Sequence, residues 1–224
     1  MKSRSHARRP QAMKSAAAAR RVAPPARLRQ VAVTVLSALA LAGCASAPPD
    51  HFYSLSNGLP SAGATMPATA PYFIEVLAPS VPPQVARSQL VITSGAGRID
   101  LLEQERWSAP LASEIGQALS LALSVRLGAI DVFRTPAPEQ AAIYRISTSV
   151  QRFESVPGQY ALLDAVWSVR LAGSPKVLTC RSEFKESVAP GYDALVDGHR
   201  RAVGRLADSI AAAVRRLAAG GPSC

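Results

Sequence analysis

The sequence has little of what catalytic sites are commonly built from. Its 224 residues include three histidines, three cysteines and only 5% aromatic side chains. Two of the histidines, His51 and His199, lie beyond residue 43. No run of His, Cys and carboxylates has metal-ligand spacing, so no metal is expected. No G-x-S-x-G turn or other nucleophile motif occurs. Gly95-x-Gly97 lacks the third glycine of a dinucleotide fingerprint, and a predicted strand rather than a helix follows it. Glu103 and Glu105 share a strand face, but the sequence names no partner for them. The expectation is a non-enzyme that needs no cofactor.

A long hydrophobic run is also missing. The most apolar stretch, Val31–Ala42, is about a dozen residues, where a spanning helix needs roughly 20. It does suit the apolar core of a secretory signal, with Arg27 and Arg29 as its basic flank. It ends in Leu41-Ala42-Gly43-Cys44, which resembles a bacterial lipobox. The small Ala42 and Gly43 let a signal peptidase reach the backbone, and Leu41 completes the recognition site. Cys44 then becomes a lipidated first residue, with the covalent lipid as its only attachment. Residues 1–43 hold nine Lys and Arg and not one acid. Their removal leaves 16 basic against 15 acidic groups, a net of +1. The pI of about 10.3 therefore belongs to the targeting segment, and no nucleic-acid partner is expected.

The mature chain reads as one domain. Residues 44–51 form a tether, 52–218 the folded part with a flexible loop at 56–71, and 219–224 a tail. Strands are predicted at His51–Leu55, Tyr72–Ala78, Gln89–Thr93, Arg98–Leu102 and Ile130–Arg134. Three more, at Ile143–Phe153, Tyr160–Leu171 and Lys176–Val188, alternate as an antiparallel meander with one buried face. Helices are predicted at Ser108–Leu127, with Pro110 in its first turn, and from Asp193 as N-cap to Leu217. In the second, Val196, Val203, Ile210 and Leu217 recur every seven residues. The fold class is α+β: an antiparallel or mixed β-sheet with two long α-helices packed on one face. Cys180 and Cys224 are a candidate disulfide, since an exported protein meets oxidising conditions; the other reading is a buried free thiol at Cys180.

Three short blocks carry a family resemblance. Phe52-Tyr53-Ser54-Leu55 follows the lipobox. Glu105 to Leu111, with Trp107, Pro110 and Leu111, opens the first helix. Gly191-Tyr192-Asp193 precedes the last. In this order they resemble the PqiC-type ABC transport auxiliary lipoproteins. The resemblance implies an outer-membrane, periplasm-facing lipoprotein that forms a homo-oligomer. It would dock a periplasmic MCE-domain protein in transport of lipids or other hydrophobic molecules. The competing reading is an envelope lipoprotein that regulates a cell-wall enzyme. The short tether before Phe52 weighs against it, unless the first strand is undocked and the loop at 56–71 adds reach.

Overall fold

A computed structural model describes Arg27 and residues 49–57, 70–95 and 97–221. The chain divides into two units, Met1–Ala47 and Pro48–Cys224, and the strands and helices described below belong to the second. Its elements run β1 (His51–Tyr53), β2 (Phe73–Val76), β3 (Gln89–Thr93), β4 (Ile99–Trp107), α1 (Leu111–Leu127), β5 (Ile143–Val156), β6 (Tyr160–Leu171), β7 (Leu178–Ser187) and α2 (Tyr192–Ala218). The strands form two mixed sheets, ordered β1-β4-β3 and β2-β5-β6-β7. β1 joins β4 and β2 joins β5 in parallel, and the other pairings are antiparallel. The fold is α+β, as expected.

The meander holds the core. Tyr144, Ile146 and Val150 of β5 face inward with Ala165, Trp167 and Val169 of β6. A register shift between Val150 and Arg152 then changes the alternation, and Phe153 and Ser155 become the buried residues. Helix α2 covers β6 and β7, and α1 packs on α2. The seven-residue repeat of α2 is the buried seam: Val196, Val203 and Ile210 are in the core and Leu217 is at its margin. The seam admits the sheet closely at Gly198. A Cβ there would overlap Val188 and come within 2.9 Å of the Ala161 side chain.

β1 stops at Tyr53 instead of Leu55, β5 runs on to Val156 instead of stopping at Phe153, and β7 is shorter at both ends than the sequence reading has it. Four further differences have a visible cause. Ile130–Arg134 is not a strand. Ile130 and Val132 exchange backbone bonds with Ile74, but the Asp131 carboxylate then takes the Val76 and Phe133 N–H groups at 3.2 and 3.0 Å. With a side chain in place of the ladder, the chain turns away. β4 runs on to Trp107 instead of stopping at Leu102. Pro110 is the N-cap of α1 rather than part of its first turn, with φ −51° and ψ 137°. Asp193 is not the N-cap of α2. Gly191 is, at φ 104°, a conformation open to glycine; Asp193 sits in the first turn, where a negative charge suits the helix dipole.

A histidine on the inner face of α2 lies in the core. His199 is buried, stacked on Phe153 with ring centroids 4.0 Å apart, and edge-on to Trp107. Its Nε2 shares a 2.8 Å hydrogen bond with Ser155 Oγ, and its Nδ1 has no partner. Burial pushes the imidazole down to about 3. In the unfolded chain a histidine titrates near 6.5, so below that pH the unfolded state takes up a proton that the folded state refuses. The contribution of His199 to stability is therefore whole above about pH 6.5 and falls as pH drops toward 3. From pH 7 to pH 5 the loss amounts to about 2 kcal/mol. Urea unfolding of the wild type and of His199→Phe at both pH values should show this loss in the wild type only. Equal losses in the two proteins would contradict the assignment.

Candidate functional site

A densely hydrogen-bonded corner lies at the first strand of the domain. β1 has only three residues, too few to hold itself to β4 by backbone pairing alone. Side chains reinforce it. Tyr53 donates its hydroxyl to Glu105 Oε2 at 2.6 Å, and His51 Nδ1 meets Glu105 Oε1 at 2.9 Å. Phe52, between them, points the other way and is 63% exposed. Burial works to raise the Glu105 carboxyl, but the bonds from Tyr53 and His51 outweigh it and hold the group below its usual range. The bond to Glu105 raises the His51 imidazole. Burial, then the bond to Glu105, raises the Tyr53 phenol.

The next two residues are clamped from both helices. Glu114, in the first turn of α1 and buried, accepts from the Leu55 N–H at 2.8 Å, the Ser54 hydroxyl at 2.9 Å and the Ser108 hydroxyl at 2.6 Å. Arg200 of α2 donates twice to the Ser54 carbonyl, from Nε at 3.0 Å and Nη2 at 2.7 Å. The Leu55 side chain is fully buried beneath. Two groups distant in sequence, Glu114 and Arg200, thus fix one dipeptide.

The three motif blocks meet at this corner. Tyr53 lies opposite Trp107 in the β1–β4 register, and Trp107 is in the core. Pro110 caps α1, and Leu111 is buried. Gly191 starts α2, Tyr192 packs on the core, and Asp193 acts electrostatically on both His51 and Tyr53. Leu41, Ala42, Gly43, Cys44 and Cys224 lie outside the described residues. Cys180 is buried on β7 and takes part in a disulfide. Glu105, Glu114, His199 and Arg200 are the residues whose roles the sequence hid. Glu105 is legible as one of two acids on a strand and as the start of a motif block, but not as the partner of Tyr53 and His51; nothing local marks Glu114.

The corner offers little chemistry. Glu114 has three donors satisfied from its own chain. The Ser155–His199 pair is buried, and an imidazole at about 3 is too weak a base to activate a hydroxyl near neutral pH. Among the described residues no three His, Cys, Asp or Glu are grouped to hold a metal ion, and no helix is long and apolar enough to cross a membrane.

The sequence matches the ABC-type transport auxiliary lipoprotein component over residues 53–211, from Tyr53 of this corner to the last turns of α2. The chain belongs to the ABC-type transport auxiliary lipoprotein family. Two crystal structures share the fold. One, of an uncharacterized protein, has a TM-score of 0.59 at 15% identity, covering 75% of this chain and 99% of that one. The other, a Xanthomonas campestris protein of the family DUF330, has a TM-score of 0.52 at 14% identity, covering 66% and 85%. No curated protein sequence matches. As a member of the transport auxiliary family, the protein is an auxiliary lipoprotein component of an ABC-type transport system.

The clamp predicts a stability cost. Glu114→Ala strands the buried Leu55 N–H and takes the acceptor from the half-buried Ser54 and exposed Ser108 hydroxyls. It should lower stability by about 2 kcal/mol, with Glu114→Gln losing less. Urea unfolding measures the total. Amide exchange at Leu55 tests the location, and unchanged protection there in Glu114→Ala would refute the clamp.

Proposed function

We propose that this lipoprotein is held at the outer membrane by acyl chains on Cys44 and docks the periplasmic MCE-domain protein of an ABC transport system. Lipids or other hydrophobic molecules then pass between the membranes. The domain acts as a non-catalytic adaptor, and several copies assemble around the passage. A bridge from Cys180 to Cys224 would secure the chain's end.

The docked start of the domain carries this reading. From Cys44 to His51 the chain can reach at most about 25 Å. From Tyr53 to Leu55 it is tied to Glu105, Glu114 and Arg200. The segment after Leu55 therefore adds nothing to the leash, and the domain stays close to the bilayer. That suits a receiver at the membrane better than an activator reaching toward the cell wall. Three acyl chains make such a tether effectively permanent, where one would be marginal.

The test is replacement of Cys44. Cys44→Ala should leave the protein in the unlipidated form, by mass spectrometry, and should fail to restore the permeability barrier of a strain lacking the gene. Full restoration by the unlipidated protein would overturn the adaptor reading.

A further inference from the structure

Most arginines and lysines among the folded unit's described residues are engaged; Arg87, half-buried with an unpaired Nε, is an exception inside the fold. Arg98, Arg106, Arg126, Arg145, Arg152, Arg181, Arg200, Arg201 and Arg205 each meet a carboxylate. Lys185 lies over the Tyr160 ring, and Arg215 bonds the Arg126 carbonyl. Among the exposed cations of this unit's described residues, Arg134, Arg170 and Lys176 have no ion pair, ring contact or side-chain hydrogen bond. Arg170 and Lys176 border one end of the four-stranded sheet, where β5 and β2 begin and β6 turns into β7; Arg134 lies elsewhere, in a hollow with Val76, Ala78 and Ala112 past the end of β2.

The same end carries exposed apolar groups. Ile130, Leu171 and Val177 are 50%, 38% and 52% exposed. By register Phe73 lies beside Ile143, and the Asp131–Ile74 bridge sets Ile130 beside Phe73. Ile130, Phe73 and Ile143 thus form a row across neighbouring strands, on the face opposite the buried Ile74 and Tyr144. On the β7 side, Val177 precedes Leu178, which pairs with Val169, so Val177 lies across from Arg170. Arg170 in turn stands beside Arg145, two residues along β5 from Ile143. The row below, Glu75 with Arg145, is neutralised internally. Isolated apolar residues on a surface mean little; a row of them bordered by unpaired cations is a different pattern.

Position decides what this end meets. The tether clamp sits at the first turn of α1. The apolar row sits at the other end of that helix, where Ala70 N–H bonds the Gly128 carbonyl and Ile74 N–H bonds that of Ile130. A helix of 17 residues separates the two by about 25 Å. The leash therefore holds one end of the domain at the bilayer and leaves the other toward the periplasm.

We propose that Phe73, Ile130, Ile143 and Val177, with Arg170 and Lys176 beside them, form the surface that receives the transport system's periplasmic protein. Its matching face is apolar with an acidic margin. This rests on the adaptor reading above and adds the contact surface to it.

The test uses the full-length, lipidated protein in its own bacterium. Wild type, Arg170→Glu/Val177→Glu and Ile99→Glu, an exposed apolar site on the other sheet, are purified in mild detergent. Co-purifying proteins are identified by mass spectrometry. Recovery of the MCE-domain protein should fall about tenfold with the double substitution, persist with Ile99→Glu, and weaken with salt in the wild type. All three proteins should melt alike, since the altered positions are exposed. Normal recovery with the double substitution overturns the surface and spares the adaptor. No recovery even with the wild type overturns both. Two further results also reject the assignment. One is a smaller oligomer in the double variant, which gives the face to a second copy. The other is shielding of Val177→Cys from a water-soluble thiol reagent by phosphatidylethanolamine/phosphatidylglycerol vesicles alone, which gives it to the membrane.

Discussion

A buried carboxylate ties the start of the domain to its interior. Glu114 is on the first turn of α1, and nothing in that helix needs it to be buried. It is buried because Ser54 and Leu55 return over it and hand it an N–H and a hydroxyl, while Ser108 supplies another. A carboxylate removed from water is tolerable only with donors in place. The dependence is mutual: without Glu114, the Leu55 N–H has no acceptor. Each needs the other, so a three-residue strand far too short to be stable alone becomes a fixed part of the domain.

With Cys44 lipidated as proposed, that interaction turns the anchor into a geometric constraint. A lipid anchor by itself fixes only the membrane on which a protein sits. A short leash followed by a clamped strand also limits how far the domain can stand from the bilayer. Arg200 extends the constraint to the second helix, because its guanidinium grips the Ser54 carbonyl. The entry segment is thus held by α1, by β4 and by α2 at once. All three blocks of family motif converge there, and most of their residues are structural in this corner.

The sequence revealed the elements built on regular spacing. The seven-residue recurrence in α2 and the alternation of β6 report local periodicity, and both are read without knowing any partner. What it hid depends on partners far away. His199 falls on a helix among arginines; its burial follows from Phe153 and Ser155, which a register shift in β5 turns inward. Asp131 lies in an apolar run that reads as a strand, but its carboxylate competes with the ladder for backbone donors. Pro110 and Asp193 suited helix starts by composition. Which residue caps the helix was settled instead by the direction of the incoming strand, and at Gly191 by a backbone angle that favours glycine.

The two histidines of the folded unit respond to acid in opposite directions. His51 has a raised pKa through its bond to Glu105, so its contribution is complete below the unfolded value and fades as pH rises through the folded one. His199 has a lowered pKa through burial, and its contribution fades as pH falls. Mild acid therefore strengthens the pairing of β1 with β4 while weakening the packing of α2 on the meander. The first effect is small, because His51 is exposed and screened by solvent. The second is larger, because His199 is buried away from solvent. Under acid stress the entry corner should keep its β1–β4 pairing while α2 loosens from the sheet. Arg200 then becomes the weak link of the clamp, since it is the grip that α2 supplies. The Glu105 and Glu114 contacts, made by β4 and α1, do not depend on α2 and would hold the leash at its original length.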